Sequence, residues 1–335
     1  MIVVEEPRQA TTDLPESQGA NAEALIKEAR QHQRRRWLIV IAVVLIVAVA
    51  SGIWAASDGR STTKPPAPSK VTQVKTAGLS GSTGTRHANP LSLVGTWRVI
   101  GSGQRRAPLA SIGSLGLVVW TACGWMSGEW NADRQGLFAG ILSGGVPACA
   151  SSYANLNPPW LAATGYKGAG RDELLLGADG RVLARLVPSR VPPSYAKDMS
   201  PDYLHPVVTP QVRKVLLQVS RPLPAGLVPA SGKQLLGRWV PAKASPGHAP
   251  HQPYLLLNAD GVWSGSDGCN GLGGRWSLGT GGTILVAAGP QTAMLCTGIT
   301  FVGEWLVQAT RAGFHGRTLV VVNAAGKVTG RLRKA

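Results

Sequence analysis

Cysteine is the residue type with the most definite chemistry in this chain, and there are four: Cys123, Cys149, Cys269 and Cys296. They fall as two pairs, the first 26 residues apart and the second 27. No Cys-x-x-Cys occurs, which weighs against a thiol–disulfide exchange site. A four-cysteine zinc centre is the sharper alternative, but each half of the chain supplies only two ligands. Two structural disulfides in an oxidising compartment fit better. Three pairings of four cysteines exist, and the internal repeat described next selects Cys123–Cys149 and Cys269–Cys296. Of the histidines, His205, His248, His251 and His315 lie in proline-rich or loop sequence. His248 and His251 are near enough to share a metal, yet they read as loop residues. No Gly-x-Ser-x-Gly elbow is present, and the glycine run at 268–274 lacks the lysine and the strand–helix setting of a phosphate loop. The sequence thus offers no nucleophile or acid–base constellation, and the expectation is a non-enzymatic protein without cofactor or metal.

The elements that position these cysteines occur twice. ACGWMSGEWN at 122–131 aligns with GCNGLGGRWS at 268–277, and Leu93-Val94-Gly95-Thr96-Trp97 with Leu235-Leu236-Gly237-Arg238-Trp239. Trp160-Leu161 answers Trp305-Leu306, and ADGRVLARL at 178–186 answers AAGKVTGRL at 324–332. Collinear blocks at offsets of 142 to 147 indicate a duplicated domain. Trp97, Trp130 and Trp160 recur as Trp239, Trp276 and Trp305, which predicts core positions for the set.

Each copy reads as β-rich. LGLVVW at 115–120 is a buried-strand run, LFAGIL at 137–142 follows, and ELLLGADGRVLARLV predicts a hairpin around Asp179-Gly180. In the second copy PYLLL and VWSGS flank the turn Asn258-Ala259-Asp260-Gly261, and RWSL, TILVAA, TLVVVN and VTGRLR are further strands. The glycines of 268–274 are expected in tight turns. FVGEWLVQATR at 301–311 places apolar residues at 301, 302, 305, 306 and 309, one face of a helix. In the first copy only the segment near Trp160 has room for a helix, started by Pro158-Pro159. Between the copies, residues 188–231 hold nine prolines and read as a semi-rigid spacer. VRKVLLQV at 212–219 interrupts it with enough apolar groups to pack on a domain, as strand or short helix.

Ahead of both copies lies Trp37–Ala56, twenty residues without a charge, long enough to span about 30 Å as a helix. Trp37 and Trp54 stand near its ends and Arg34, Arg35 and Arg36 abut its start. The reading is a single signal anchor in the cytoplasmic membrane, with a cytoplasmic tail at 1–36, the anchor at 37–56 and a flexible Pro/Ser/Thr/Gly linker at 57–90. Two β domains follow outside, at 91–187 and 232–335, separated by 188–231. The net charge is +17, and residues 1–36 carry six basic and six acidic side chains, so the excess lies beyond the anchor. That balance favours anionic envelope polymers, lipid head groups or an envelope protein as partner. Nucleic acid is not expected, since no arginine-rich run or recognition motif follows residue 56.

Gly237-Arg238-Trp239, Gly268-Cys269-Asn270 with Trp276, and Ala293-Met294-Leu295-Cys296 ahead of Glu304-Trp305-Leu306 resemble the META domain family, which is HslJ-like. The motif residues carried over are Gly237, Trp239, Gly268, Cys269, Asn270, Trp276, Cys296 and Glu304. The first copy departs from the pattern, with Gly124 in the place of Asn270 and Pro159 in that of Glu304. The resemblance implies an α+β fold, mainly antiparallel β, as two tandem domains each with one helix, located outside the cytoplasm and linked to stress. It implies no settled activity. The expected function is non-catalytic binding or scaffolding in the cell envelope. The alternatives are a transmembrane regulator whose outer domains sense and whose tail reports, and an extracytoplasmic enzyme of unassigned reaction.

Overall fold

The computed structural model describes residues 88–102, 107–114, 116–121, 124–147, 157–192, 199–243, 249–294, 296 and 299–335. The anchor at 37–56 with Trp37, Trp54, Arg34, Arg35 and Arg36, the tail before it, the linker up to residue 87, and Cys123 and Cys149 lie outside those residues. Among the described residues no helix is long and apolar enough to cross a membrane.

Two antiparallel sheets account for nearly all regular structure. The first runs β1 (Gly95–Ile100), β2 (Leu109–Gly113), β3 (Gly116–Thr121), β4 (Gly124–Ala132), β5 (Phe138–Pro147), β6 (Gly165–Ala169), β7 (Asp172–Leu176) and β8 (Val182–Pro188). Its spatial order is β5-β4-β3-β2-β1-β8-β7-β6. Each strand pairs with its sequence neighbour, and β8 returns to β1, where Trp97 stands opposite Pro188. The end strands then meet: Leu137 bridges Gly165, and the Phe138 amide donates to the Thr164 carbonyl at 3.0 Å. The sheet is a nearly closed up-and-down barrel, an arrangement that leaves little free edge.

Between the sheets come α1 (Pro201–Leu204), α2 (Pro210–Leu216) and the two-residue β9 (Val228–Pro229). The second sheet follows α3 (Gly232–Leu235). It comprises β10 (Gly237–Pro241), β11 (Tyr254–Leu257), β12 (Val262–Ser266), β13 (Gly271–Leu278) and β14 (Ile284–Gln291). Then come α4 (Val302–Val307), β15 (Arg311–His315), β16 (Thr318–Val322) and β17 (Val328–Lys334). The order β14-β13-β12-β11-β10-β17-β16-β15-β9 repeats that of the first sheet and adds β9 at the edge. Closure repeats as well: Thr283 bridges Arg311, and the Ile284 amide donates to the Thr310 carbonyl at 3.1 Å.

Identical local devices build both barrels. The indole of Trp97 donates to the Leu93 carbonyl at 2.9 Å, and that of Trp239 to the Leu235 carbonyl at 2.7 Å. Each bond ties the helical turn before the first strand onto the barrel end. Gly128 and Gly274 sit at matching bulges in β4 and β13. A Cβ there would lie 1.8 Å from the Ile141 carbonyl oxygen or 2.1 Å from that of Ala287, so the next strand can pass only against glycine. The glycine run read as turns therefore divides: Asp267–Asn270 turn, while Gly271–Gly274 belong to β13.

Each barrel fills with its own apolar core. Leu93, Trp97, Val99, Phe138, Trp160 and Leu186 belong to the first, and Leu235, Trp239, Trp263, Val302, Leu306 and Leu332 to the second. The helix expected at 301–311 is the shorter α4, because Arg311 already pairs with Val322 as the first residue of β15. Where the first copy was expected to have a helix, Pro159–Ala162 forms one 3-10 turn, which still buries Trp160 and Leu161. The expectation of one helix per copy therefore fails for the first. Pro158 and Pro159 give up two amide donors at the start, and Ala163 is extended again.

The described residues fall in one compact unit, and the barrels touch through matching strands. Leu137, Ala139 and Ile141 beside and within β5 pack on Leu285 and Ala287 of β14. Asn131 donates to the Val286 carbonyl at 3.2 Å, and Ser277, which occupies the matching place in β13, donates to the Phe138 carbonyl at 2.5 Å. The apolar contact is reciprocal, with Ala139 and Ile141 in the places of Leu285 and Ala287, whereas the two acceptor carbonyls lie two positions apart in the matched frame. The segment read as a spacer is packed on both barrels. The Thr96 hydroxyl donates to the Leu204 carbonyl at 3.5 Å, and α2 buries Val212 and Leu216. Farther on, the Arg221 amide donates to the Ala324 carbonyl, and β9 pairs with β15. Prolines confine their own φ angles but say nothing of what the chain leans on.

Candidate functional site

Two groups of side chains in the second barrel carry the motif residues. The first surrounds the turn after β12. Asp267 is 1% exposed, and its Oδ1 accepts from the amides of Cys269 at 2.8 Å and Asn270 at 2.6 Å. Asn270, 4% exposed, works like a strand of one residue. Its Oδ1 accepts from the Met294 amide at 2.5 Å and its Nδ2 donates to the Met294 carbonyl at 3.1 Å. The Thr292 hydroxyl links in turn to Asn270 and to the Gly271 amide. Cys269–Cys296 closes the same segment with a disulfide, Cα atoms 6.2 Å apart. Gly268 adopts φ 101°, and a Cβ on it would lie 2.6 Å from that of Ala249. These groups satisfy one another and leave no open donor set, so the arrangement is a clasp holding 292–296 to the barrel.

Glu304 is not part of the clasp. It is exposed on α4 and accepts from the Gln308 amide group at 2.7 Å. Trp276 is 6% exposed in the core. Among the described residues no three His, Cys, Asp or Glu side chains come together as a metal site.

The second group lies at the barrel mouth where β10, β17 and the β15–β16 turn meet. Lys233, Gln234, Trp239, Phe314, Gly316, Arg317, Arg333 and Lys334 line a cavity of about 560 Å³, a volume typical of ligand sites. Trp239, 1% exposed, forms the floor, with the Phe314 ring centroid 5.9 Å away and tilted by 47°. The pairing of β10 with β17 sets Lys334 opposite Trp239. Its ammonium then lies over the indole, 4.3 Å from the ring centroid, and donates to the Leu236 carbonyl. Gly237 makes this possible: it takes φ 106°, and a Cβ there would sit 3.0 Å from the Lys334 ammonium. Burial pushes the Lys334 pKa down from its ordinary value. The lining holds four cations and no carboxylate.

Only Gly237 and Trp239 of this mouth were found from the sequence. Lys233, Phe314, Arg317, Arg333 and Lys334 stand on elements far apart in the chain, and only the barrel brings them together. The available signal was the Arg-Leu-Arg-Lys ending of the last strand, whose alternation sends Leu332 inward and Arg333 outward.

A META domain matches residues 233–335, the segment that forms α3, the clasp and this mouth. The first barrel lies outside the match. No curated protein and no solved structure matches the chain.

Proposed function

We propose that the chain is a non-catalytic binding protein of the cell envelope, whose second barrel grips an anionic partner in its basic, aromatic-floored mouth. The single observation that carries this reading is the cavity lined by Lys233, Arg317, Arg333 and Lys334 above Trp239, without an acid. Four cations around a partly apolar floor repel one another unless an anion joins them, and a low-dielectric wall strengthens that attraction. Charge across the whole domain agrees, because residues 233–335 hold ten Lys and Arg against three Asp and Glu.

The uncharged stretch 37–56 with its flanking arginines supports display on the cytoplasmic membrane, single-pass, with the tail at 1–36 inside and the barrels outside. The Cys269–Cys296 disulfide suits an oxidising exterior. A stress-linked role belongs to the same proposal, on the strength of the META match at 233–335.

The test is retention of the full-length protein, in nonionic detergent, on beads bearing an anionic polysaccharide or a neutral dextran. The anionic beads should hold it, release it as salt rises, and fail to hold an Arg333→Glu/Lys334→Glu variant. Equal retention on neutral dextran, or none on either, overturns the reading.

A further inference from the structure

We infer that the mouth of the second barrel recognises phosphate esters rather than carboxylates; this rests on the anion-binding reading above and specifies its ligand. The argument starts from donor geometry. Arg317 sits in the two-residue turn joining β15 to β16, and Arg333 on the outward side of β17, so two exposed guanidinium forks reach the cavity from different elements. Lys233 adds an ammonium from α3. A carboxylate is planar and offers two oxygens, which one fork can saturate. A phosphate offers oxygens in several directions and is recognised by forks and point charges together.

The lysine at the floor adds a second requirement. The Lys334 ammonium already lies on the Trp239 face and on the Leu236 carbonyl, so its position is set before any ligand arrives. It is a preorganised charge that needs no ordering on binding. Phe314 beside it is half-buried and leaves an apolar wall for the carbon part of an ester. A cavity of about 560 Å³ is also far larger than one inorganic ion needs. The ligand is therefore a phosphate joined to an organic group, such as a glycerol phosphate unit.

The first barrel is an internal control. Strand pairing places Pro188 opposite Trp97, where the second barrel has Lys334 opposite Trp239. Gly168 faces Glu173 where Phe314 faces Leu319. Val187 pairs with Arg98 as Arg333 pairs with Val240. With the same frame, the first mouth has lost the cations of its last strand and the aromatic wall.

The experiment titrates full-length protein in nonionic detergent with four probes: a soluble poly(glycerol phosphate), phosphatidylglycerol dispersed in micelles of the same detergent, inorganic phosphate, and polyglutamate matched in charge. The two phosphodiester probes should bind more tightly than polyglutamate. An Arg317→Lys/Arg333→Lys variant keeps the charge and loses the forks, so it should weaken phosphodiester binding about tenfold and polyglutamate binding by less, which narrows the preference between them. Preference for the polymer over phosphatidylglycerol assigns a wall polymer, and the reverse assigns lipid head groups; either supports the inference. Inorganic phosphate binding as tightly as the polymer removes the ester requirement and overturns it. Equal binding of polyglutamate and phosphodiester overturns phosphate selectivity while sparing the anion site, whereas no binding by any probe overturns both.

Discussion

The two barrels share a strand order, a closing bridge, a tryptophan tie and a glycine at the crowded bulge, yet they differ where a ligand would enter. In the second, the last strand ends in Arg333 and Lys334 above an indole. In the first, the same positions are Val187 and Pro188, and Gly168 stands where Phe314 does. The frame depends on backbone-level devices that admit few residues. The mouth depends on side chains that can change without moving a strand. The difference teaches that two barrels built on one frame can differ at a single opening, so the comparison predicts which substitutions are felt in one barrel alone.

The largest such effect concerns the clasp. The second barrel spends Asp267, Asn270 and a disulfide on holding 292–296, whereas Gly124 in the first barrel stands where Asn270 does and can make no such bond. Closing a loop across 27 residues stabilises by about 3.5 kcal/mol in the chain-entropy model. A Cys269→Ser/Cys296→Ser variant should therefore lose about 3 kcal/mol. Hydrogen exchange read by segment locates the loss: protection should fall in 237–335 and persist in 95–188. Equal loss in both segments would mean that the barrels unfold as one and that the clasp serves the pair.

Next in size is the glutamate that the second barrel replaces with Leu319. Glu173 is 6% exposed and its Oε2 has no hydrogen-bond partner. Burial raises its pKa above the ordinary glutamate value, and the Ser92 hydroxyl offsets this only in part. The folded chain thus keeps a proton that the unfolded chain gives up. That stability is complete below the ordinary pKa and is lost as pH rises through the raised one. Glu173→Leu should stabilise the first barrel by about 1–2 kcal/mol near neutral pH. The gain should shrink towards about pH 4, where both states are protonated in the parent. Denaturant midpoints across pH check this, and a gain independent of pH would assign the effect to packing alone.

Much of the frame was legible in the sequence. VWSGS at 262–266 is β12 to the residue, and the Asp179-Gly180 hairpin stands where expected, with the Asp179 carboxylate accepting from the Arg181 amide. Strand alternation and turn chemistry are local signals, so one segment reveals them. Three things were not local. The apolar spacing over 301–311 runs from a helix into a strand, because Leu306 on α4, Ala309 in the link and Ala312 on β15 all serve the same core. The proline-rich segment packs on surfaces that its own composition does not describe. The mouth exists only because the pairing of β17 with β10 sets residue 334 against residue 239, a register that no window of the sequence contains.

The smallest effect tests whether the comparison concerns two barrels or one assembly. Ser277 is 2% exposed at the contact, donating to the Phe138 carbonyl, while Asn131 answers from the other side to the Val286 carbonyl. Each position belongs to its own barrel, but each bond belongs to the pair. Ser277→Ala removes one buried donor and leaves the apolar patch of Ile141, Leu285 and Ala287 in place. The expected cost is about 0.5–1.5 kcal/mol. Asn131 is only half-buried and its bond is longer, at 3.2 Å, so Asn131→Ala should cost less. Residues this near, within one interface, should also couple in a double-mutant cycle. Strictly additive costs, each confined by hydrogen exchange to the mutated barrel, would show that the barrels only touch, and the two mouths would then have to be treated as independent.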